Sequence, residues 1–388
     1  MYYPEIMGKS QEPCIAFTGG GTGGHIYPGL AVAAALKKEL PCRIFWIGSG
    51  NPLDKSIVEE AGIEFFSIPA GKLRRNFSFR NFADFFNVVR GYFSAKKIFR
   101  REKPELLFSK GGFVSVPPCA AAASLHIPVI THESDYSPGL ATRINARFAA
   151  KSNGKIITAY PETVKAFPLK LRDRVAVLGN PVRDVFKNAD PEKGRAFLGV
   201  GEKEKILLVL GGSQGARELN ELVMETLNDL TKEYLVVHQT GAAWNAGDRQ
   251  IDAEVRSRYK PYPYIKDELP HVLAAAHLVF ARSGAGTVWE CAVSGKPMIL
   301  LPLSGAGTRG DQVENAGFFE KAGAAVVLPP NKRTAADLRE ALQLLTEEKR
   351  NAMAASSRQV GSANGTENIV RLLAENLDRQ KEENYADA

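Results

Sequence analysis

Cys14-Ile15-Ala16-Phe17-Thr18 runs directly into Gly19-Gly20-Gly21-Thr22-Gly23-Gly24-His25-Ile26-Tyr27-Pro28-Gly29-Leu30-Ala31. A short apolar run, five glycines in six positions and an Ala-rich stretch read as a buried strand, a close-approach turn and a helix beginning near Pro28. Glycines let the backbone come close to a ligand, and a helix N-terminus favours negative charge there. Gly19, Gly21 and Gly24 have the spacing of a dinucleotide fingerprint, but the acid that should end the next strand is missing, since Arg43–Ile47 leads into Gly48-Ser49-Gly50. A phosphate-binding P-loop fails too, because His25 and Ile26 stand where Lys and Ser/Thr are required. A tight turn without a ligand is the plain alternative.

Working outward, the same strand-then-helix rhythm recurs. Strands are expected at Arg43–Ile47, Glu64–Ile68, Glu105–Ser109, Pro128–Thr131 and Lys155–Thr158, with helices such as Gly29–Leu40 and Phe82–Arg101 between them. After Gly179-Asn180-Pro181 the rhythm restarts, at Lys205–Leu210, Tyr234–Gln239, Leu278–Ala281, Pro297–Leu301 and Ala324–Leu328. Pro181 biases Asn180 away from helix, which sets an expected boundary between a domain over 1–180 and one over 181–365. The polar tail from Thr366 reads as a helix that packs back on the first domain or frays into solvent. The fold class is α/β: two open parallel sheets facing across a cleft, with ligand at the carboxyl ends of the strands.

A chain of 388 residues, 44% hydrophobic and 24% charged, can bury two cores and is neither disordered nor fibrous. Four scattered cysteines (Cys14, Cys42, Cys119, Cys291) argue against a disulfide framework or structural zinc, and for a reducing cytosol. Neither a signal peptide nor a spanning helix is expected. The net charge of +7 is concentrated, because ten basic and two acidic residues lie between Lys72 and Lys103, together with seven of the 20 phenylalanines. Such a segment suits an anionic partner, either nucleic acid or membrane headgroups.

Two further glycine-rich turns follow strands in the second half: Gly211-Gly212-Ser213-Gln214-Gly215-Ala216-Arg217 and Arg282-Ser283-Gly284-Ala285-Gly286-Thr287. Two such helix starts suit a diphosphate, with amides and dipoles in place of a metal. Glu290 then suits a ribose diol, although a first-turn acid favoured by the dipole reads the same way. No Asp-x-Asp and no metal-ligand spacing occurs, so no metal and no cofactor is expected.

These motifs, with Lys110-Gly111-Gly112-Phe113-Val114-Ser115, His132-Glu133-Ser134-Asp135, Gly179-Asn180-Pro181-Val182-Arg183 and Asp311-Gln312 with Asn315-Ala316, occur in order. From about Cys14 to Leu328 the chain resembles the MurG family of UDP-N-acetylglucosamine:lipid I N-acetylglucosaminyltransferases of peptidoglycan synthesis. The resemblance implies a GT-B fold of two Rossmann-like domains, an inverting transfer and no bound metal. It assigns the diphosphate to Arg183 and Ser213, and uracil to the backbone of Ile265. Phosphate and ribose fall to Ala285, Gly286, Thr287, Val288, Trp289 and Glu290, with Glu290 on the diol. Gln312 reads sugar hydroxyls, while Thr22, Gly23 and Gly24 close over the sugar. Two positions depart from the family. Many members read His-Glu-Gln-Asn where this chain has Ser134-Asp135, which passes the sugar contact to Asp135. Some have Gln-Gln where this chain has Asp311-Gln312.

Inverting transfer needs a base for the acceptor hydroxyl. His25 is the first candidate and Glu133 the second, while a structural His bonded to a carbonyl is the alternative for His25. In the basic window, Phe82, Phe85, Phe86, Val89 and Phe93 share one helical stripe, expected to pack on the first sheet. Leu73, Phe77 and Phe79 alternate with Arg74, Arg75 and Arg80 in an expected loop, suited to dipping among anionic lipids. The implied partners are UDP-GlcNAc, undecaprenyl-linked lipid I, an anionic membrane surface and other cell-wall synthesis proteins, and not nucleic acid. The implied location is peripheral, on the cytoplasmic face of the cell membrane, with roles in cell wall biogenesis, cell shape and division. The competing readings are a GT-B transferase for another UDP-sugar and a glycolipid acceptor, and a binding protein without catalysis.

Overall fold

A computed structural model describes the chain apart from residues 1–11, 22, 72–78, 213–214, 245–250, 306–307, 364 and 387–388, and without the side chains of 79–83 and 381–386. Among the described residues are two compact units. The first comprises Met1–Glu133, Pro138–Pro181 and Thr366–Ala388, and the second Ser134–Ser137 and Val182–Gly365.

The first unit holds seven strands: β1 (Cys14–Thr18), β2 (Arg43–Gly48), β3 (Glu64–Ser67), β4 (Leu106–Ser109), β5 (Val129–Glu133), β6 (Lys155–Thr158) and β7 (Val175–Val177). Their order is β3-β2-β1-β4-β5-β6-β7, all parallel. Successive side chains point to opposite faces, so each strand feeds two cores. Ala16, Phe45 and Leu107 pack in one cluster, while Ile15, Phe17, Trp46 and Phe108 pack in the other. Ile369, Val370, Leu373 and Leu377, one stripe of the helix Gly365–Ala386, join the second cluster. Strands buried on both faces are what a near-continuous apolar run such as Cys14–Phe17 encodes.

The second unit repeats the plan with six strands: β8 (Ile206–Leu210), β9 (Leu235–Gln239), β10 (Tyr259–Tyr262), β11 (Leu278–Ala281), β12 (Met298–Leu300) and β13 (Ala325–Val327), in the order β10-β9-β8-β11-β12-β13. In both sheets the chain moves outward from the first strand and then crosses back to its other side. The reversal falls between β1 and β4, and between β8 and β11, so adjacent glycine-rich turns leave the same ends of neighbouring strands.

Several expectations are corrected. The edge strands β7 and β10 were not anticipated; β10 carries Lys260 and Pro261, which suit an edge. The first helix spans Gly23–Glu39, so Gly23, Gly24 and His25 form its opening turn and Pro28 lies inside it. Phe79 and Arg80 belong to the helix Phe79–Glu102 and not to a loop. Phe85, Phe86, Val89 and Phe93 of the expected stripe do not pack on the sheet, and the Phe82 side chain lies outside the described residues. Phe85, Phe86 and Phe93 are 59%, 52% and 64% exposed, and Val89 is exposed as well. The helix instead buries Gly91, Ala95 and Phe99, which at about 100° per residue lie roughly half a turn from Phe86, Val89 and Phe93. Gly91 permits this, because a Cβ there would meet the Pro69 carbonyl oxygen at 2.3 Å and Pro117 at 3.2 Å.

Candidate active site

In the first unit, two side chains shape the turn after β1. Trp46, from the neighbouring strand, donates its Nε1–H to the Gly19 carbonyl at 3.0 Å. The buried carboxylate of Asp54 accepts the Gly21 N–H at 2.8 Å. Gly21 has φ +86°, a conformation that costs a glycine little and other residues more. The turn thus arrives pre-shaped at the opening of the helix Gly23–Glu39, whose first amides have no intrahelical acceptor. Thr22 lies outside the described residues.

His25 is half-buried in that first turn. Its ring borders the turn after β4, where a Cβ at Gly112 would lie 3.7 Å from His25 Nδ1 and one at Gly111 3.8 Å from Cδ2. Gly112 also has φ +77°, and a Cβ there would approach the Gly20 carbonyl oxygen to 2.7 Å. The two glycine turns therefore interlock beside His25.

His132 and Glu133 end β5 and are both buried. His132 Nδ1 lies 2.7 Å from Lys110 Nζ, and its Nε2 lies 3.0 Å from the Gly179 carbonyl. Lysine only donates, so Nδ1 accepts and Nε2–H donates. Burial, with the Lys110 charge adding to it, holds His132 well below the ordinary imidazole range. It is a neutral strut with no exposed surface. Glu133 Oε2 accepts the Gly139 N–H at 3.0 Å, at the start of the helix Leu140–Lys151. Of the two base candidates, His25 is the more open.

In the second unit, Arg183 Nη2 and Glu290 Oε1 are 3.8 Å apart, and the guanidinium also lies 4.9 Å over the Phe186 ring. Burial lifts the Glu290 carboxyl to about 7 against the pull of Arg183. Glu290 sits on the helix Ala285–Val293, which begins at Gly284 straight after β11. Val288 already donates to the Gly284 carbonyl, so the open amides are those of Ala285, Gly286 and Thr287. Val288 and Trp289 are turned into the core, with Trp289 edge-on to Phe319 at 5.8 Å. Their side chains are structural, and any ligand contact there is left to the backbone.

Ile265 is buried and its N–H donates to Gln239 Oε1 at 3.0 Å, so the amide assigned to uracil already has a partner. Gln239 ends β9 and was not singled out by its sequence context. Ser213 lies outside the described residues. Gln312 Oε1 accepts the Leu303 N–H at 2.9 Å, and its backbone carbonyl accepts Ser283 Oγ–H at 2.7 Å. Asp135 belongs to the second unit through Asn315 Nδ2 at 3.1 Å and Arg309 Nη2 at 2.7 Å.

Two parallel sheets of this strand order, each with glycine-rich turns at its reversal point, make up a two-domain fold of the GT-B class. The crystal structure of Acinetobacter baumannii MurG shares the fold with a TM-score of 0.70 at 24% identity, covering 94% of this chain and 99% of that one. The glycosyltransferase family 28 N-terminal domain matches residues 15–152 and the family's C-terminal domain residues 206–373. The chain belongs to glycosyltransferase family 28. A relative from Treponema denticola, named UDP-N-acetylglucosamine--N-acetylmuramyl-(pentapeptide) pyrophosphoryl-undecaprenol N-acetylglucosamine transferase, is 52% identical over 81% of this chain and 83% of its own. A Clostridium perfringens relative of the same name is 39% identical over 92% and 97%.

Proposed function

We propose that this enzyme moves N-acetylglucosamine from UDP-GlcNAc to the C4 hydroxyl of MurNAc in undecaprenyl-diphosphate-MurNAc-pentapeptide, the lipid I to lipid II step of peptidoglycan synthesis. The reading rests on identity of 52% over four-fifths of the chain to a relative named for this transfer. The geometry within each unit is consistent with it. Glu290 would accept both ribose hydroxyls, releasing Arg183 toward the diphosphate. The open amides of Ala285, Gly286 and Thr287 would face the phosphates at a positive helix end. Ser213 would share the diphosphate, the Ile265 backbone the uracil once its N–H leaves Gln239, and Asp135 and Gln312 the sugar.

The chemistry is a displacement with inversion. The acceptor oxygen bonds to the anomeric carbon as the bond from that carbon to the UDP oxygen breaks. His25 takes the hydroxyl proton, and the charge growing on UDP is met by Arg183 and the helix amides. Thr22, Gly23 and Gly24 would cover the sugar, with Glu133 as the second candidate base. The test is turnover of UDP-GlcNAc, UDP-glucose and UDP-galactose with a lipid I analogue. The expected result is UDP release only with both UDP-GlcNAc and acceptor present. Equal turnover of UDP-glucose would favour another sugar, and acceptor-independent binding without release would remove the enzyme reading.

For the membrane, the supporting observation is the exposed face of the helix Phe79–Glu102. Phe85, Phe86, Val89 and Phe93 stand out from it, flanked by exposed Arg90, Lys97 and Arg100. An apolar ridge with a cationic margin suits a peripheral position on an anionic leaflet, at about 1 kcal/mol per basic residue near the surface. Among the described residues no helix is long and apolar enough to cross a membrane. Leu73, Arg74, Arg75 and Phe77 lie outside the described residues; with Phe79 and Arg80 they precede this ridge in the chain and are proposed as further membrane contacts. The cytoplasmic leaflet, where UDP-sugars and the lipid-linked acceptor meet, is the proposed location.

A further inference from the structure

We propose that Arg309 is a positioning residue for the donor sugar, acting through Asp135 and Asp311. This rests on the reading above, in which Asp135 and Gln312 face that sugar. Arg309 Nη2 donates to Asp135 Oδ2 at 2.7 Å and to Asp311 Oδ2 at 2.8 Å, so one nitrogen gathers both carboxylates. The other Asp135 oxygen accepts from Asn315 Nδ2 at 3.1 Å. Asn315, fully buried, also donates to the Ser283 carbonyl at 3.2 Å and accepts the Tyr136 N–H at 2.9 Å. The Ser134–Ser137 segment, the glycine turn after β11 and the start of the helix Asp311–Lys321 are therefore joined in one network beside Gln312.

Asp135 and Asp311 bring two carboxylates to one guanidinium nitrogen. An amide in either place needs no counter-charge. Two carboxylates at the mouth of a site for a dianionic donor repel each other and the donor unless a cation lies between them. Arg309 supplies it. The pair is partly exposed, with Arg309 at 38% and Asp135 at 22%, so it adds little to folding stability. What it does fix is where the Asp135 carboxylate points. Asp135 then offers the sugar hydroxyls an acceptor only, where an amide would offer both an acceptor and a donor.

The experiment is calorimetric titration of the full-length protein with UDP-GlcNAc and with UDP, alongside steady-state kinetics with a lipid I analogue. Arg309→Ala is expected to weaken UDP-GlcNAc binding and raise its KM by about tenfold, the scale of one charged hydrogen bond. Binding of UDP, which lacks the sugar, should stay within about twofold. The variant Arg309→Ala with Asp135→Asn and Asp311→Asn is expected to recover most of the loss, because amides need no guanidinium. Arg309→Lys should keep most of the affinity and shows that the position tolerates change. Equal losses for UDP and UDP-GlcNAc, no loss at all, or no recovery with the two amides would each overturn the proposal. Failure of the wild-type protein to bind UDP-GlcNAc would instead overturn the functional reading beneath it.

Discussion

The Arg183 guanidinium lies 3.8 Å from the Glu290 carboxylate, and burial nevertheless lifts that carboxyl to about 7. Desolvation outweighs the ion pair, as it does when a partner is close but not in hydrogen-bond contact. Under the proposed function the pair would exchange partners, ribose for Glu290 and diphosphate for Arg183.

The first prediction concerns pH. A ribose diol donates, so it needs the ionised Glu290. UDP affinity is expected to rise with pH as the Glu290 carboxyl, lifted to about 7 by burial, ionises. Folding stability runs the other way. The folded carboxyl holds its proton more tightly than the unfolded one, so this group's stabilisation is complete below about pH 4.5 and is lost as pH climbs through 7. Calorimetry across this range on wild type and Glu290→Gln checks both, and a flat wild-type profile would reassign Glu290.

For His25, replacement by Ala is expected to cut kcat by roughly 10² or more while donor affinity is nearly unchanged. Stopped turnover with intact UDP-GlcNAc titration is the signature of a base. A wild-type kcat would remove His25 from the chemistry.

Asp54 offers a third test. Asp54→Ala strands the Gly21 N–H and is expected to cost about 1–3 kcal/mol of stability and to lower kcat, since the glycine turn loses its anchor. Asp54→Asn keeps an acceptor oxygen and should retain most of both. Thermal unfolding and turnover measured on the same preparations decide the matter; an unchanged melting temperature for the Ala variant would show that the turn holds its shape unaided.

The exposed aromatic ridge predicts a separation of functions. Phe86→Ser with Phe93→Ser should reduce co-sedimentation with anionic vesicles and leave the UDP-GlcNAc affinity of the soluble protein as in wild type. The residual binding should fall as salt rises, because the flanking cations remain. Vesicle binding equal to wild type would assign the ridge to another partner.

Most strands were legible because a parallel sheet covered on both faces demands uninterrupted apolar runs, and Ile206–Leu210 or Leu278–Ala281 can hardly be read otherwise. Edge strands carry less of that demand: Glu64–Ser67 and Ala325–Val327 were still legible, whereas the short Val175–Val177 and the Lys260-Pro261-bearing Tyr259–Tyr262 were not. The glycine turns announced themselves by composition. Asp54, Gln239 and Arg309 did not. Each works through a partner 33, 26 or 174 residues away, and no local pattern marks such a pairing. Only Asp54 left a trace, as a first-turn acid behind the Asn51 cap and Pro52.

From residue order alone come the parallel sheets, the glycine-rich turns that follow their strands and the helix that carries the phenylalanines, since all three follow from short-range periodicity and glycine's freedom. Which side of that helix meets water was settled by packing: a stripe has the same period whether or not it is covered, and the close approach at Gly91 turned the aromatic side outward. Packing likewise made His132 a strut beside Lys110 and gave Asp135 its guanidinium, because burial and charge pairing exist only once distant segments are brought together.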